Sequence, residues 1–186
     1  DYTTACKPGM TGEGIRAAFT VTDSGEEVEV SADEQALVEQ ALTSYATYVR
    51  DQSDQLLERT REFVDLYEAG DDDAARELYP LARVHWERIE TVADSFGDLD
   101  PKMDLREADL EPGQEWTGWH RIEKDLWPAR AEDYTPLTDT EREEFAQDLL
   151  ANTEKLDARI QELYGIADCA ASPVARANPT TLANSS

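Results

Sequence analysis

Residues 31–70 read SADEQALVEQALTSYATYVRDQSDQLLERTREFVDLYEAG, and the fold turns on how that stretch is read. Ser31 followed three residues later by Glu34 is a capping box, in which each side chain satisfies a backbone donor of the other's residue. Gly70 is a residue type that commonly closes a helix, because it adopts the left-handed conformation without penalty. Between them Leu37, Ala41, Tyr45, Tyr48, Leu56, Phe63 and Leu66 recur mostly at three, four or sums of these, the period of one helical face. The stretch therefore predicts a single helix of roughly 58 Å at about 1.5 Å per residue. A helix that long needs neighbours to cover its stripe.

The neighbours lie downstream. Asp71, Asp72 and Asp73 suit the positive end of a helix dipole, and a second helix is predicted from there to about Phe96, kinked at Pro80. Its stripe is Leu78, Ala82, His85, Ile89, Val92 and Phe96. An irregular acidic stretch, GDLDPKMDLREADLEPGQEW at 97–116, follows. A short helix over the next residues is bent or ended by Pro128. A further helix starts at Thr138, capped by Glu141, and runs to Tyr164 before Gly165. ASPVARANPTTLANSS at the end reads as loop, with Asn178-Pro179 opening another helix. Residues 1–30 differ: AAFTVTDSGEEVEV alternates and is β-branched, and KPGMTGEG is turn chemistry. The fold class is mainly α, an antiparallel helical bundle behind a short β-hairpin. The division predicted is 1–30 and 31–186.

Charge narrows the partners. The 186 residues hold 42 acidic and 17 basic side chains, a formal net charge of −25, which repels nucleic acid and anionic lipid. No run approaches the roughly 18 apolar residues of a membrane span. Cys6 and Cys169 could pair in an oxidising compartment, remain free or have partners elsewhere. The opening DYTTACKPGM has neither initiator Met nor signal peptide and reads as a processed product or a fragment.

Chemistry concentrates in GQEWTGWHRIEKDLWPAR, residues 113–130. His120 and Glu123 share a helical face, and bundles often present metal ligands in this way. A buried imidazole hydrogen-bonded to a glutamate is the commoner outcome of the same spacing, and both readings stand. The second histidine of a zincin motif is missing. Upstream, RVHWERIETVADSF places His85 on the apolar stripe and Glu87 nearly opposite, with Glu90 three residues on. Periodicity favours a solvated face for Glu87 and Glu90 and a core role for His85. The two glutamates become ligands only if another element covers them. Asp98, Asp100, Asp104, Glu107 and Asp109 lie in the loop that would do so. No nucleophile stands beside a base, so no catalytic residue is assigned.

The run from Arg83 to Trp127, RVHWERIETVADSFGDLDPKMDLREADLEPGQEWTGWHRIEKDLW, closely resembles the signature region of the imelysin-like helical domain of EfeO-type iron-uptake proteins. Weaker similarity extends over 31–186. The resemblance implies an iron-binding protein of the periplasm or cell surface, working with an iron permease and a haem peroxidase. It implies a metal site of His120 and Glu123, with Glu87, Glu90 and Asp104 as companions. Four carboxylates around one imidazole suit hard Fe²⁺ or Fe³⁺, the trivalent ion better. YTTACKPGMTGEGIRAAFTVT resembles the last strands of a cupredoxin-like domain, which places Cys6 and Met10 where soft copper ligands fall; a turn with a merely packed or paired cysteine fits equally well. Two rivals remain: a metal-dependent peptidase, as the family has been labelled, and a helical surface protein without metal.

The family's helical domain continues beyond this sequence, so the chain reads as an internal piece. A bundle lacking its closing helices is expected to leave Leu56, Phe63, Leu149, Leu156 and Ile160 facing water.

Overall fold

In the computed structural model, residues 1–6, 14–22, 31–130 and 134–165 are described. They fall into two compact units, Asp1–Ala36 and Leu37–Ser186. In the first, strand β1 (Tyr2–Cys6) pairs antiparallel with β2 (Ile15–Phe19). The register sets Tyr2 opposite Phe19 and Cys6 opposite Ile15, and the Tyr2 and Phe19 rings stack at 5.4 Å. Every residue of both strands is exposed. Met10 lies outside the described residues, as do Cys169 and the Asn178-Pro179 helix start.

Five α-helices follow among the described residues: α1 (Ala32–Glu68), α2 (Asp72–Ile89), α3 (Leu99–Asp104), α4 (Trp119–Leu126) and α5 (Asp139–Leu163). The predicted caps are present. Glu34 Oε2 accepts from the Ser31 backbone N–H at 2.9 Å, and Ser31 Oγ accepts from the Glu34 N–H at 3.3 Å. Thr138 and Glu141 repeat the arrangement at the head of α5. Gly70, at φ 73°, ends α1 with bonds from its own N–H to Tyr67 O and from Asp71 N–H to Leu66 O, a Schellman closure.

Hydrogen bonds fix the directions. Arg50 reaches Gln161, Ser53 reaches Asp157 and Arg61 reaches Glu154, so α5 runs antiparallel to α1. Tyr45 meets Thr91, and Gln52 meets His85, so α2 does the same. The buried stripe of α1 is Ala46, Val49, Ser53, Leu56, Thr60, Phe63 and Tyr67, a strict three-four alternation. This departs from the predicted stripe: Leu37, Ala41 and Tyr48 are exposed, and Tyr45 and Leu66 only partly buried. The cause is polar residues that satisfy themselves inside the core. Thr60 Oγ1 donates to Leu56 O at 2.7 Å, and Thr153 on α5 donates to Leu149 O at 2.8 Å, so neither hydroxyl is left unpaired on burial.

The expected open apolar stripe is absent. Leu56, Phe63, Leu149, Leu156 and Ile160 are each fully buried, because α1, α2 and α5 turn these stripes toward one core that Trp119 of α4 joins. Two local expectations also change. Pro80 stands inside α2, and the break in helical backbone falls at Val92 (φ −116°, ψ 18°), within the 3₁₀ stretch Glu90–Phe96. The stretch 97–116 is not wholly irregular. Leu99 and Met103 are buried one turn apart and anchor α3, with Pro101 in its first turn, where the missing N–H is harmless.

Candidate metal centre

Two short devices aim the predicted residues at one another. Gly118 caps α4 at φ 82° and ψ −164°, which starts that helix hard against the end of α3. Thr117 Oγ1 donates to Lys102 O at 2.7 Å and locks the junction. Asp104, the last residue of α3, thereby comes to face the first turn of α4.

On α4 the His120 Nδ1 lies 2.7 Å from Glu123 Oε2. That bond holds Glu123 below the usual carboxylate range, against the opposing effect of burial. The other ring nitrogen, Nε2, is buried with no hydrogen-bond partner and stands 3.4 Å from Asp104 Oδ1. Asp104 is bonded in turn to Arg83 Nη1, and Arg83 Nη2 pairs with Glu87 Oε1 at 2.7 Å. Glu90 sits beside Glu87. Burial first, then the like charges of Glu87 and Asp104, push its carboxyl up from the usual value. The five predicted residues thus form a chain, Glu123–His120–Asp104 and Glu87–Glu90, with Arg83 at the join.

They do not converge as a ready cage: among the described residues no three His, Cys, Asp or Glu side chains form a group that could hold a metal ion. One pair of donors has the spacing of neighbouring metal ligands. Ligands about 2.0–2.2 Å from an ion at roughly tetrahedral to right angles lie on the order of 3–3.5 Å apart, close to the Nε2–Asp104 separation. An Nδ1–H donated to Glu123 leaves the Nε2 lone pair free, the carboxylate–histidine arrangement that orients a metal-binding imidazole.

The tryptophans build the wall behind this face. Trp119 is fully buried, 5.2 Å from the Phe63 ring and 5.6 Å from that of Tyr79. Trp127 lies 5.4 Å from Tyr79, and Trp116 Nε1 donates to Leu105 O at 2.7 Å. Outside the wall, a cleft of about 840 Å³ is lined by Tyr79, Trp116, Trp127, His120 and Glu123 with the cations Arg76, Arg106 and Lys124. The Tyr79 hydroxyl is buried without a partner at bonding geometry, although the Glu123 carboxylate is near enough to act on it. Burial first, then that carboxylate, push the phenol well above its ordinary range, against the opposing pull of Arg83.

The remaining candidates lie elsewhere. His85 is buried and its Nδ1 meets Gln52 Oε1 at 2.9 Å; burial, then Arg88 and Arg59, push its pKa down. It is a satisfied core histidine. Asp98 pairs with Lys102, and Glu107 with Lys124. Cys6 is exposed, on a hairpin that contributes no other described soft ligand. Arg83 was not among the predicted residues, although the Arg83–Glu87 spacing of four was visible as a helical ion pair.

The fold is a helical bundle in which the imidazole–carboxylate pair of α4 faces the Asp104 carboxylate at the end of α3. The sequence pattern of the imelysin family, peptidase family M75, matches residues 41–181, and the chain belongs to that family. An Efem/EfeO family lipoprotein of Staphylococcus haemolyticus is 40% identical over 134 residues, covering 70% of this chain and 45% of that protein. A lipoprotein of the same description from Staphylococcus aureus is 39% identical over 131 residues, 69% of this chain and 44% of the relative. Iron uptake system component EfeM of Bacillus subtilis is 44% identical over 95 residues, 51% of this chain and 23% of the relative. The matched stretch spans less than half the length of each of these relatives.

Proposed function

We propose that this chain is the iron-holding part of an iron-uptake component that works outside the cytoplasmic membrane. It binds the ion as cargo and passes it to a permease, with a haem peroxidase as a further member of the system. Family membership and the iron-uptake and lipoprotein names of its relatives support the setting. No helix among the described residues is long and apolar enough to cross a membrane.

The observation that carries the reading is His120 Nε2, a buried nitrogen without a hydrogen-bond partner, 3.4 Å from a carboxylate. A buried polar atom left unpaired costs about 1–3 kcal/mol, and a metal ion would relieve that cost. In this proposal His120 Nε2 and Asp104 take the ion, Glu123 holds and orients the imidazole from Nδ1, and Glu87 and Glu90 complete the charge. The cleft beside His120 and Glu123 gives the approach. The role is binding and delivery rather than catalysis; metal-dependent cleavage of peptides by the intact parent protein would instead favour the family's peptidase label.

Calorimetric titration with iron tests this. His120→Ala and Glu123→Ala are each expected to weaken binding about tenfold to a hundredfold, as loss of a ligand or of its orienting carboxylate does. Helical content should change little. Glu62→Ala is the control. Its carboxylate is half exposed and pairs only with Arg59 at 2.8 Å, a surface pair worth roughly 0–1 kcal/mol, and iron affinity should stay at the wild-type value. Wild-type affinity in His120→Ala would reduce the pair to a structural hydrogen bond.

A further inference from the structure

Resting on that reading of the site, we infer that Arg83 is an internal cation that an incoming metal must displace from Asp104, and that it thereby holds down the affinity of the site for metal. The guanidinium is nearly enclosed, its side chain 11% exposed, and it is bonded to Asp104, itself 8% exposed, and to Glu87. It occupies the join between the two halves of the donor set. Asp104 Oδ1 is the shared atom: it accepts from Arg83 Nη1 and is also the oxygen that His120 Nε2 faces.

Two of the cations lining the cleft are engaged elsewhere. Lys124 pairs with Glu107 at 2.5 Å, and Arg76 with Asp73 at 2.8 Å. Arg83 is therefore the cation bonded within a set of four carboxylates, Glu87, Glu90, Asp104 and Glu123. It leaves an excess of negative charge.

An ion entering at His120 and Asp104 sits within a few ångströms of the guanidinium. Metal and guanidinium repel at that range, and a shared carboxylate oxygen cannot serve both at full strength. The cost of releasing Arg83 from Asp104 is the same whichever ion enters, so Arg83 lowers the affinity for each, and repulsion left between guanidinium and metal grows with ionic charge.

The test compares Zn²⁺ with Ga³⁺, the latter supplied as its citrate complex, on wild type and Arg83→Gln by calorimetry. Both ions are diamagnetic and redox-inert. The variant is expected to bind Zn²⁺ about tenfold tighter than wild type and Ga³⁺ tighter by at least as much, order-of-magnitude figures for loss of one close charge. Without metal it should melt below wild type, because Asp104 is left without its partner, and saturating Zn²⁺ should restore more of the difference than it adds to wild type.

Should Arg83→Gln lose helical content, the side-chain Nε–H resonance of Arg83 in wild type answers the same question. It should shift on saturation with Ga³⁺, and an unmoved resonance would overturn the inference. Zn²⁺ affinity that is unchanged or weaker in a folded Arg83→Gln would also overturn it, since Arg83 would then be holding Asp104 in place for the metal. Wild type that binds neither ion, with His120→Ala indistinguishable from it, would remove the metal reading itself and this inference with it.

Discussion

Gly118→Ala is expected to destabilise the protein by about 3 kcal/mol or more, the combined scale of a disallowed backbone conformation and an overpacked contact. Gly118 holds φ 82° and ψ −164°, a region essentially closed to residues with a Cβ. The added carbon would also lie 2.2 Å from Met103 O and 2.6 Å from Lys102 O. Those atoms are backbone, so no side-chain rotation clears the space. Helix α4 must shift away from the end of α3, and His120 moves with it away from Asp104. Urea denaturation and metal titration on the same sample should therefore fall together. A variant within 1 kcal/mol of wild type that keeps its metal affinity would show that the α3–α4 junction does not set the site.

Asp125→Ala is expected to cost about 3–5 kcal/mol, the scale for leaving a buried ionic network without one partner. The Asp125 side chain is 2% exposed. It accepts from Tyr67 Oη at 2.7 Å, Tyr134 Oη at 2.8 Å, the Leu137 N–H at 3.1 Å and Arg142 Nη1 at 2.8 Å. Arg142 keeps Asp72, which limits the loss. The two hydroxyls and the backbone donor lose the acceptor they share. Burial alone would raise the Asp125 pKa, but these four donors outweigh it and hold the carboxyl below its usual value. The sign follows. A depressed folded pKa contributes stability above the unfolded value, about 3.9, and that contribution is lost as pH falls through the folded value. The gap between wild type and variant should be full at neutral pH and should close progressively in acid below about pH 4. A gap that stays constant through that range would mean the carboxylate's charge is not what the network uses.

The helices were legible from end signals more than from stripes. Ser31 with Glu34, Thr138 with Glu141, and Gly70 each act within one turn, so local sequence is enough to place them. The stripe of α1 was misread because Ser53 and Thr60 count as polar in any hydropathy pattern, yet fill core positions by bonding Asp157 and Leu56 O. Helix α3 was hidden for a similar reason: Leu99 and Met103 are two apolar residues in an acidic run, too few to show a period. The exposure predicted for Leu149, Leu156 and Ile160 failed because how closely three helices close on one another is a tertiary property. At the site, His120 with Glu123 follows from spacing alone. The position of Glu87 opposite the stripe was read correctly, and it is exposed. What joins it to His120 is Arg83, and that link depends on α3 bringing Asp104 over it, which no spacing along α2 reveals.

X-ray absorption at the iron edge of the loaded protein tests the central claim most directly. The chain contains two histidines, and His85 is committed to Gln52 inside the core, so an imidazole bound to iron must be His120. The account predicts one imidazole scattering contribution within an otherwise oxygen shell in wild type, retained in His85→Gln and lost in His120→Ala. An all-oxygen shell in wild type, unchanged by His120→Ala, would contradict it.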